Sequence, residues 1–214
     1  MTDSSTRPDQ RGPGTSNRFV LRLLVIKVEG VLVPPPTEWN LPDTDEANPI
    51  DPDELFPDWI NRTGLTEDNL RSALVELARS GKFTVDSRLR SLIDHVRNHT
   101  PVRTAFLSSG PRDWIEALET QYELENLRDL SFCYDNYTHG SRRTLLQFLM
   151  NRFIAGKGRT MLLGRTLADE TLARQEKTRF RSLQPPPENA RNPDNWGWSL
   201  EQLRTFIKEK QPES

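Results

Sequence analysis

At 214 residues, 34% hydrophobic and 28% charged, the chain suits one domain, or a core domain with a small insertion, built on a lean apolar core. A net charge of −2 gives no electrostatic case for nucleic acid or an anionic membrane as the main partner, and no apolar run approaches the roughly 20 residues that span a bilayer. The single Cys133 excludes an internal disulfide framework and fits a reducing compartment, so a cytoplasmic location is expected.

Residues 1–18 are polar, carry Pro and Gly and lack an apolar h-region, so they read as a disordered tail and not a signal peptide. Residues 20–28 are rich in Leu, Val and Ile with little alternation, which predicts a strand buried on both faces. Within the run LLVIKVEGVLV, Leu23 to Val33, stand Lys27 and Glu29, charges that such a strand accepts only for a site. Gly30 ends the strand, and Pro34, Pro35 and Pro36 lack the donors a central strand needs. Thr37 to Pro57 is acidic, Pro-rich and aperiodic, a loop. Two helical patterns follow: Leu70, Leu74 and Leu77 behind a Thr66 cap, then Leu89, Leu92, Ile93 and Val96 behind Asp86. Residues 55–98 are therefore expected to be a helical segment between two strands, of a length that suits either a small helical cap or an elaborate crossover.

Residues 102–107 form the second strand, and Ser108, Ser109, Gly110 and Pro111 open a helix with Trp114, Ile115, Leu118 and Tyr122 on one face. Ser131 to Tyr134 is a short strand candidate, followed by a helix from Ser141 to Phe153 with Leu145, Leu146, Phe148 and Leu149 inward. Thr160 to Leu163 is a third clear strand; a helix through Leu167, Leu172 and Ala173 follows Gly164, and Phe180 to Leu183 reads as one more strand. A loop over 184–198, rich in Pro and Trp, leads to a last helix capped by Ser199 with Gln202 in capping-box register. Strands alternating with helices predict an α/β fold with a Rossmann-like parallel sheet, its core made of residues 19–33 and 101–210.

Ligands of such sheets collect at the carboxyl ends of the strands. The odd residues lie there: Lys27 and Glu29, two apart and so expected on one side of the strand, Ser108 after the second strand and Arg165 after the third clear one. Other motifs point elsewhere. His95, His99 and His139 lack ligand spacing, so no metal site is expected of them. Ser108 lacks the Gly-x-Ser-x-Gly frame of a nucleophile elbow, and GKGRT at 156–160 precedes a strand instead of opening a helix, unlike a P-loop. Trp196 and Trp198 are candidates for a partner-binding patch, with pinning of the last helix as the plainer reading.

The order and spacing of these elements resemble the haloacid dehalogenase-like (HAD) superfamily, mostly Mg-dependent phosphatases and phosphotransferases, over roughly residues 20–183. The family's first motif, Asp-x-Asp-Gly-Thr, supplies the nucleophile and the general acid/base; this chain has Lys27, Val28, Glu29, Gly30 and Val31 there. FLSSG places Ser108 at the family's phosphate-holding Ser or Thr, and GSRRTLLQFL offers Arg142, or Arg143, as the basic residue of the third motif. MLLGRTLAD keeps Gly164 and Asp169 but sets Arg165 where a metal-binding Asp belongs.

The resemblance implies the fold, with residues 34–100 as a loop plus the small helical cap that this superfamily inserts after its first motif, and the substitutions argue against its chemistry. A Lys at position 27 cannot replace a carboxylate nucleophile, and two cations are poor company for Mg, which wants hard oxygen ligands, so no cofactor is expected. Lys27 and Arg165 facing Glu29 and Asp169 would instead form an ion-pair cluster in the metal's place. The expected function is a catalytically inactive, pseudo-phosphatase domain that binds, scaffolds or regulates through protein–protein contacts within a larger complex. Residual phosphate or anion binding is expected at Lys27, Ser108, Ser109 and Arg142. The alternative is a divergent hydrolase using Glu29, Ser108 and Asp169.

Overall fold

The computed structural model describes residues 20–35, 39, 41, 50–136 and 140–210. The expected tail, part of the loop before Pro57, and His139 lie outside the described residues. Five strands, β1 (Leu23–Lys27), β2 (Arg103–Leu107), β3 (Leu130–Phe132), β4 (Thr160–Leu163) and β5 (Arg179–Arg181), form one sheet in the order β3-β2-β1-β4-β5 with every neighbouring pair parallel. β1 is central and all five of its residues are buried, as an unalternating apolar run requires.

Helices cover both faces. Leu24 and Ile26 of β1, with Phe106, Met161 and Leu163, pack on one face beneath α1 (Phe56–Thr63), α2 (Glu67–Arg79), α3 (Ser87–His99), α4 (Arg112–Gln121) and α7 (Leu200–Glu209). Leu23 and Val25, with Ala105, Leu107 and Leu162, pack on the other beneath α5 (Arg142–Arg152) and α6 (Leu167–Gln175). The result is an α/β/α sandwich with a Rossmann-like parallel sheet. The helices between β1 and β2 share the first of these apolar cores: α2 lies along α4, and α3 along β2 and α7.

Caps start the helices where sequence places them. Thr66 accepts the Asn69 N–H, Asp86 the Arg88 N–H, and Ser199 the Gln202 N–H, each satisfying an otherwise orphaned donor of the first turn. Two local expectations fail. The segment read as loop to Pro57 already turns into α1 at Phe56, a helix of 8 residues with two buried anchors, Phe56 and Trp59, too short for a visible period. Phe148, expected inward, is 44% exposed and stacks on Phe132, because the buried arc of α5 runs through Leu145, Leu146, Leu149 and Met150. Among the described residues no helix is long and apolar enough to cross a membrane.

Candidate functional site

The alternation of β1 puts Lys27 on the face of Leu23 and Val25, under α5 and α6, at the carboxyl edge of the sheet. Its side chain is 2% exposed. Nζ donates to the Pro52 carbonyl at 2.7 Å and to Asp53 Oδ1 at 3.2 Å, and lies 3.4 Å from Asp169 Oδ1. Arg142, the first residue of α5, donates to Asp53 Oδ1 at 2.9 Å through one nitrogen and to Asp169 Oδ1 through the other. Thr166, the cap of α6, donates its hydroxyl to Asp53 Oδ1 at 2.7 Å.

Asp169 sits at the third position of α6 with no exposed surface, and its Oδ2 accepts the backbone N–H groups of Arg165 at 2.9 Å and Thr166 at 3.1 Å. Burial alone would raise its carboxyl, but Lys27, Arg142 and the two N–H groups outweigh that and hold it well below the usual carboxylate range. The approach leaves no room for a side chain at Gly164: a Cβ there would lie 2.7 Å from Asp169 Cβ and 2.9 Å from its Oδ2. Two cations and two carboxylates thus form a self-neutralised cluster.

This cluster differs from the expected one in half its members. Arg142 and Asp53 stand where Arg165 and Glu29 were expected. Arg165 contributes its backbone N–H to Asp169, while the stem of its side chain crosses Gly30, whose Cβ, if present, would be 2.9 Å from Arg165 Cδ. Glu29 belongs to a second, fully buried network on the opposite face. Its Oε1 accepts from the Ser108 hydroxyl at 2.5 Å and the Trp114 indole at 3.3 Å, and its Oε2 from the Ser109 N–H at 3.1 Å. Ser108 in turn accepts the Gly110 N–H at 3.0 Å. Lys27 and Glu29 part company because β1 ends at Lys27: Val28 opens a turn in which its carbonyl accepts the N–H groups of Leu32 at 3.0 Å and Val33 at 3.1 Å.

No protein-family model and no curated protein matches the sequence. Solved structures resemble it. The chain superposes on a HAD phosphatase from Thermococcus onnurineus with a TM-score of 0.60 at 11% identity, over 90% of this chain and 100% of that one. It superposes on the L-2-haloacid dehalogenase of Xanthobacter autotrophicus with a TM-score of 0.58 at 11% identity, over 88% and 99%. The fold is haloacid dehalogenase-like. A HAD-superfamily hydrolase of subfamily IA from Geobacter sulfurreducens gives a TM-score of 0.54 at 13% identity, over 76% and 89%. At such identities the likeness concerns fold alone.

On this haloacid dehalogenase-like core the two networks occupy the ends of β1, β2 and β4, where the sequence places its odd residues. The tryptophans proposed for partner binding separate. Trp196 is buried against Phe180 at 5.1 Å, whereas Trp198 is half-buried, donates to the Asp194 carbonyl at 2.6 Å and carries the Arg181 guanidinium 4.1 Å over its ring. Trp198 lines an open cleft of about 880 Å³ with Leu32, Leu89, Leu92 and Leu200, and with Arg165 and Arg204. The rings of His95 and His99 lie 5.0 Å apart on α3, and no group of three potential metal ligands occurs among the described residues.

Asp53 and Thr166 are the site residues that sequence reasoning misses. Thr166 carries a signal, a Thr three residues before Asp169 just ahead of a helix. Asp53 carries none, standing in an aperiodic acidic segment.

Proposed function

We propose that this haloacid dehalogenase-like domain performs no phosphoryl-transfer or dehalogenation chemistry and works by binding, as a scaffolding or regulatory subunit that contacts other proteins. The observation that carries the reading is the Lys27 ammonium between Asp53 and Asp169. An aspartyl-ester mechanism needs a carboxylate at the end of β1, and the group there is a buried cation already engaged by two carboxylates and a carbonyl. The donor set also fits Mg poorly. Both carboxylate oxygens that face the centre accept from Arg142 and lie within ion-pair distance of Lys27, so a divalent cation would enter against two positive charges. Lys27 and Arg142 supply the counter-charge a metal would otherwise bring.

A divergent hydrolase built on Glu29, Ser108 and Asp169 draws less support. Glu29 and Ser108 are bonded to each other without exposed surface, and Asp169 lies in the other network. The test is turnover of p-nitrophenyl phosphate and nucleoside monophosphates by the purified chain, with and without Mg. No turnover above buffer is expected. Mg-dependent turnover that disappears in Glu29→Gln overturns the reading.

A further inference from the structure

We propose that Lys27, Arg142 and Thr166 form a receptor for a small oxyanion, a carboxylate or phosphate, and that Asp53 is its built-in occupant. The inference deepens the non-catalytic reading and rests on it in one respect: the anion is held and not turned over. Three donors from three elements of the core, the end of β1, the start of α5 and the cap of α6, converge on the single oxygen Asp53 Oδ1 at 3.2, 2.9 and 2.7 Å. Two of them are cationic, which makes these bonds charge-assisted. The donors stand on regular elements of the sandwich, whereas the acceptor comes from the irregular segment before α1, held by its own N–H on Asp51 Oδ1 at 2.8 Å and by the Pro52 carbonyl on Lys27 at 2.7 Å. Lys27 is 2% exposed and aimed inward, whereas Asp53 is 26% exposed, so the occupant's place is open to solvent on its own side.

Charge states what the receptor requires. With Asp53 withdrawn, Lys27 and Arg142 face Asp169 alone, and one positive charge is left without a partner in a largely dry site. A free carboxylate restores the missing oxygen. A phosphate presents several oxygens of the same kind to the same three donors. Asp169 cannot fill the gap, since its Oδ2 is held by the N–H groups of Arg165 and Thr166.

The test is chemical rescue of the full chain. Thermal unfolding of wild type, Asp53→Ala and Asp53→Ala/Arg142→Gln is followed in sodium acetate, sodium phosphate and sodium chloride at matched ionic strength. The wild-type midpoint should be the same in all three salts. Asp53→Ala should melt lower in chloride and recover, saturably, in acetate, in phosphate or in both, the effective salt naming the anion class; the double variant should show no recovery. If Asp53→Ala does not fold, Asp53→Ser, whose shorter side chain vacates the position of the carboxylate oxygen, is titrated calorimetrically with phosphate and acetate and should bind at least one of them where wild type binds neither. An Asp53 variant that responds to no anion beyond chloride, or a wild type that binds phosphate as tightly as the variant, overturns the proposal. Mg-dependent turnover by wild type would sink the non-catalytic reading alone and leave the rescue result standing.

Discussion

Replacing Lys27 by Met keeps all but the last atom of the unbranched side chain's length and removes its charge. The change deletes the hydrogen bonds to the Pro52 carbonyl and Asp53 Oδ1 and the 3.4 Å ion pair with the fully buried Asp169. Removing one partner of a buried pair typically costs about 3–5 kcal/mol, because the survivor stays desolvated and unpaired. Here Arg142 remains on both carboxylates and two backbone N–H groups remain on Asp169, which places the expectation at the lower end, about 3 kcal/mol. For a chain of this length that loss lowers the melting midpoint by about 6–12 °C. Urea unfolding read by far-UV circular dichroism measures it, provided the slope of the transition is unchanged. A double-mutant cycle with Asp169→Asn then separates the pair from the rest, and a coupling of about 1–3 kcal/mol is expected. A Lys27→Met protein within about 0.5 kcal/mol of wild type, or a strictly additive cycle, would refute the assignment of Lys27 as the counter-charge of Asp169.

Glu29→Gln sets an amide nitrogen against donors that now meet carboxylate oxygens, from Ser108, Ser109 and Trp114, and should cost about 1–3 kcal/mol in the same urea assay; no loss would mean that this network contributes nothing net. Gly164→Ala drives a methyl group into Asp169 and should destabilise by about 1–3 kcal/mol, with unfolding midpoints as the measure and a neutral result counting against the close approach. The depressed Asp169 carboxyl sets a sign for acid behaviour. Below its unfolded-state pKa of about 4 the unfolded chain binds the proton that the folded chain refuses, so stability is present above that range and falls as the pH is lowered through it. Unfolding midpoints measured from about pH 6 down to about pH 3 should fall less steeply in Asp169→Asn than in wild type, and equal slopes would count against the ion pair.

The sheet is legible in the sequence because its signals are local. Thr160 to Leu163 matches β4 residue for residue, and the caps at Thr66, Asp86 and Ser199 lie where hydroxyl or carboxyl groups precede periodic apolar runs. The site is half legible for the complementary reason. Lys27 declares itself as a charge at the end of an apolar strand, Asp169 as an acid in the first turn of the helix after one, and Arg142 as a basic residue opening a helix. Nothing local decides which of Arg142 and Arg165 turns inward. Gly30 and Gly164 permit the arrangement seen, their missing side chains leaving space for the Arg165 stem in one place and for the Asp169 carboxylate in the other. The rule that residues two apart share a face holds only inside a strand, and β1 stops at Lys27, which is why Glu29 joins Ser108 instead. Asp53 is delivered by tertiary contact from a segment with no period, and no spacing rule reaches it.

Buried ion pairs are poor stabilisers: an apolar set of similar volume often does as well or better. Stability alone therefore gives no reason to keep four charges at the carboxyl edge of this sheet. The connections of the segment from Asp51 to Trp59 supply one. Asp53 enters the Lys27 cluster, the Phe56 N–H donates to the Ser109 carbonyl at 3.0 Å beside the Glu29 network, and the Trp59 indole donates to the Asp51 carbonyl at 3.1 Å. Behind them Trp59 packs edge-on to Trp39 at 5.9 Å, and Trp39 lies 4.8 Å from Trp114, the same tryptophan that reaches Glu29. One short segment is thus fastened to both polar networks and to the aromatic core between them. Apolar packing fixes its depth and polar contacts fix its register. An apolar replacement of Lys27 and Asp53 could preserve the depth, but it would leave the Phe56 N–H on the Ser109 carbonyl to determine which residue of the segment meets the sheet edge without help from the Lys27 cluster. Specificity of placement, more than energy, is what the charged pairs at this edge supply.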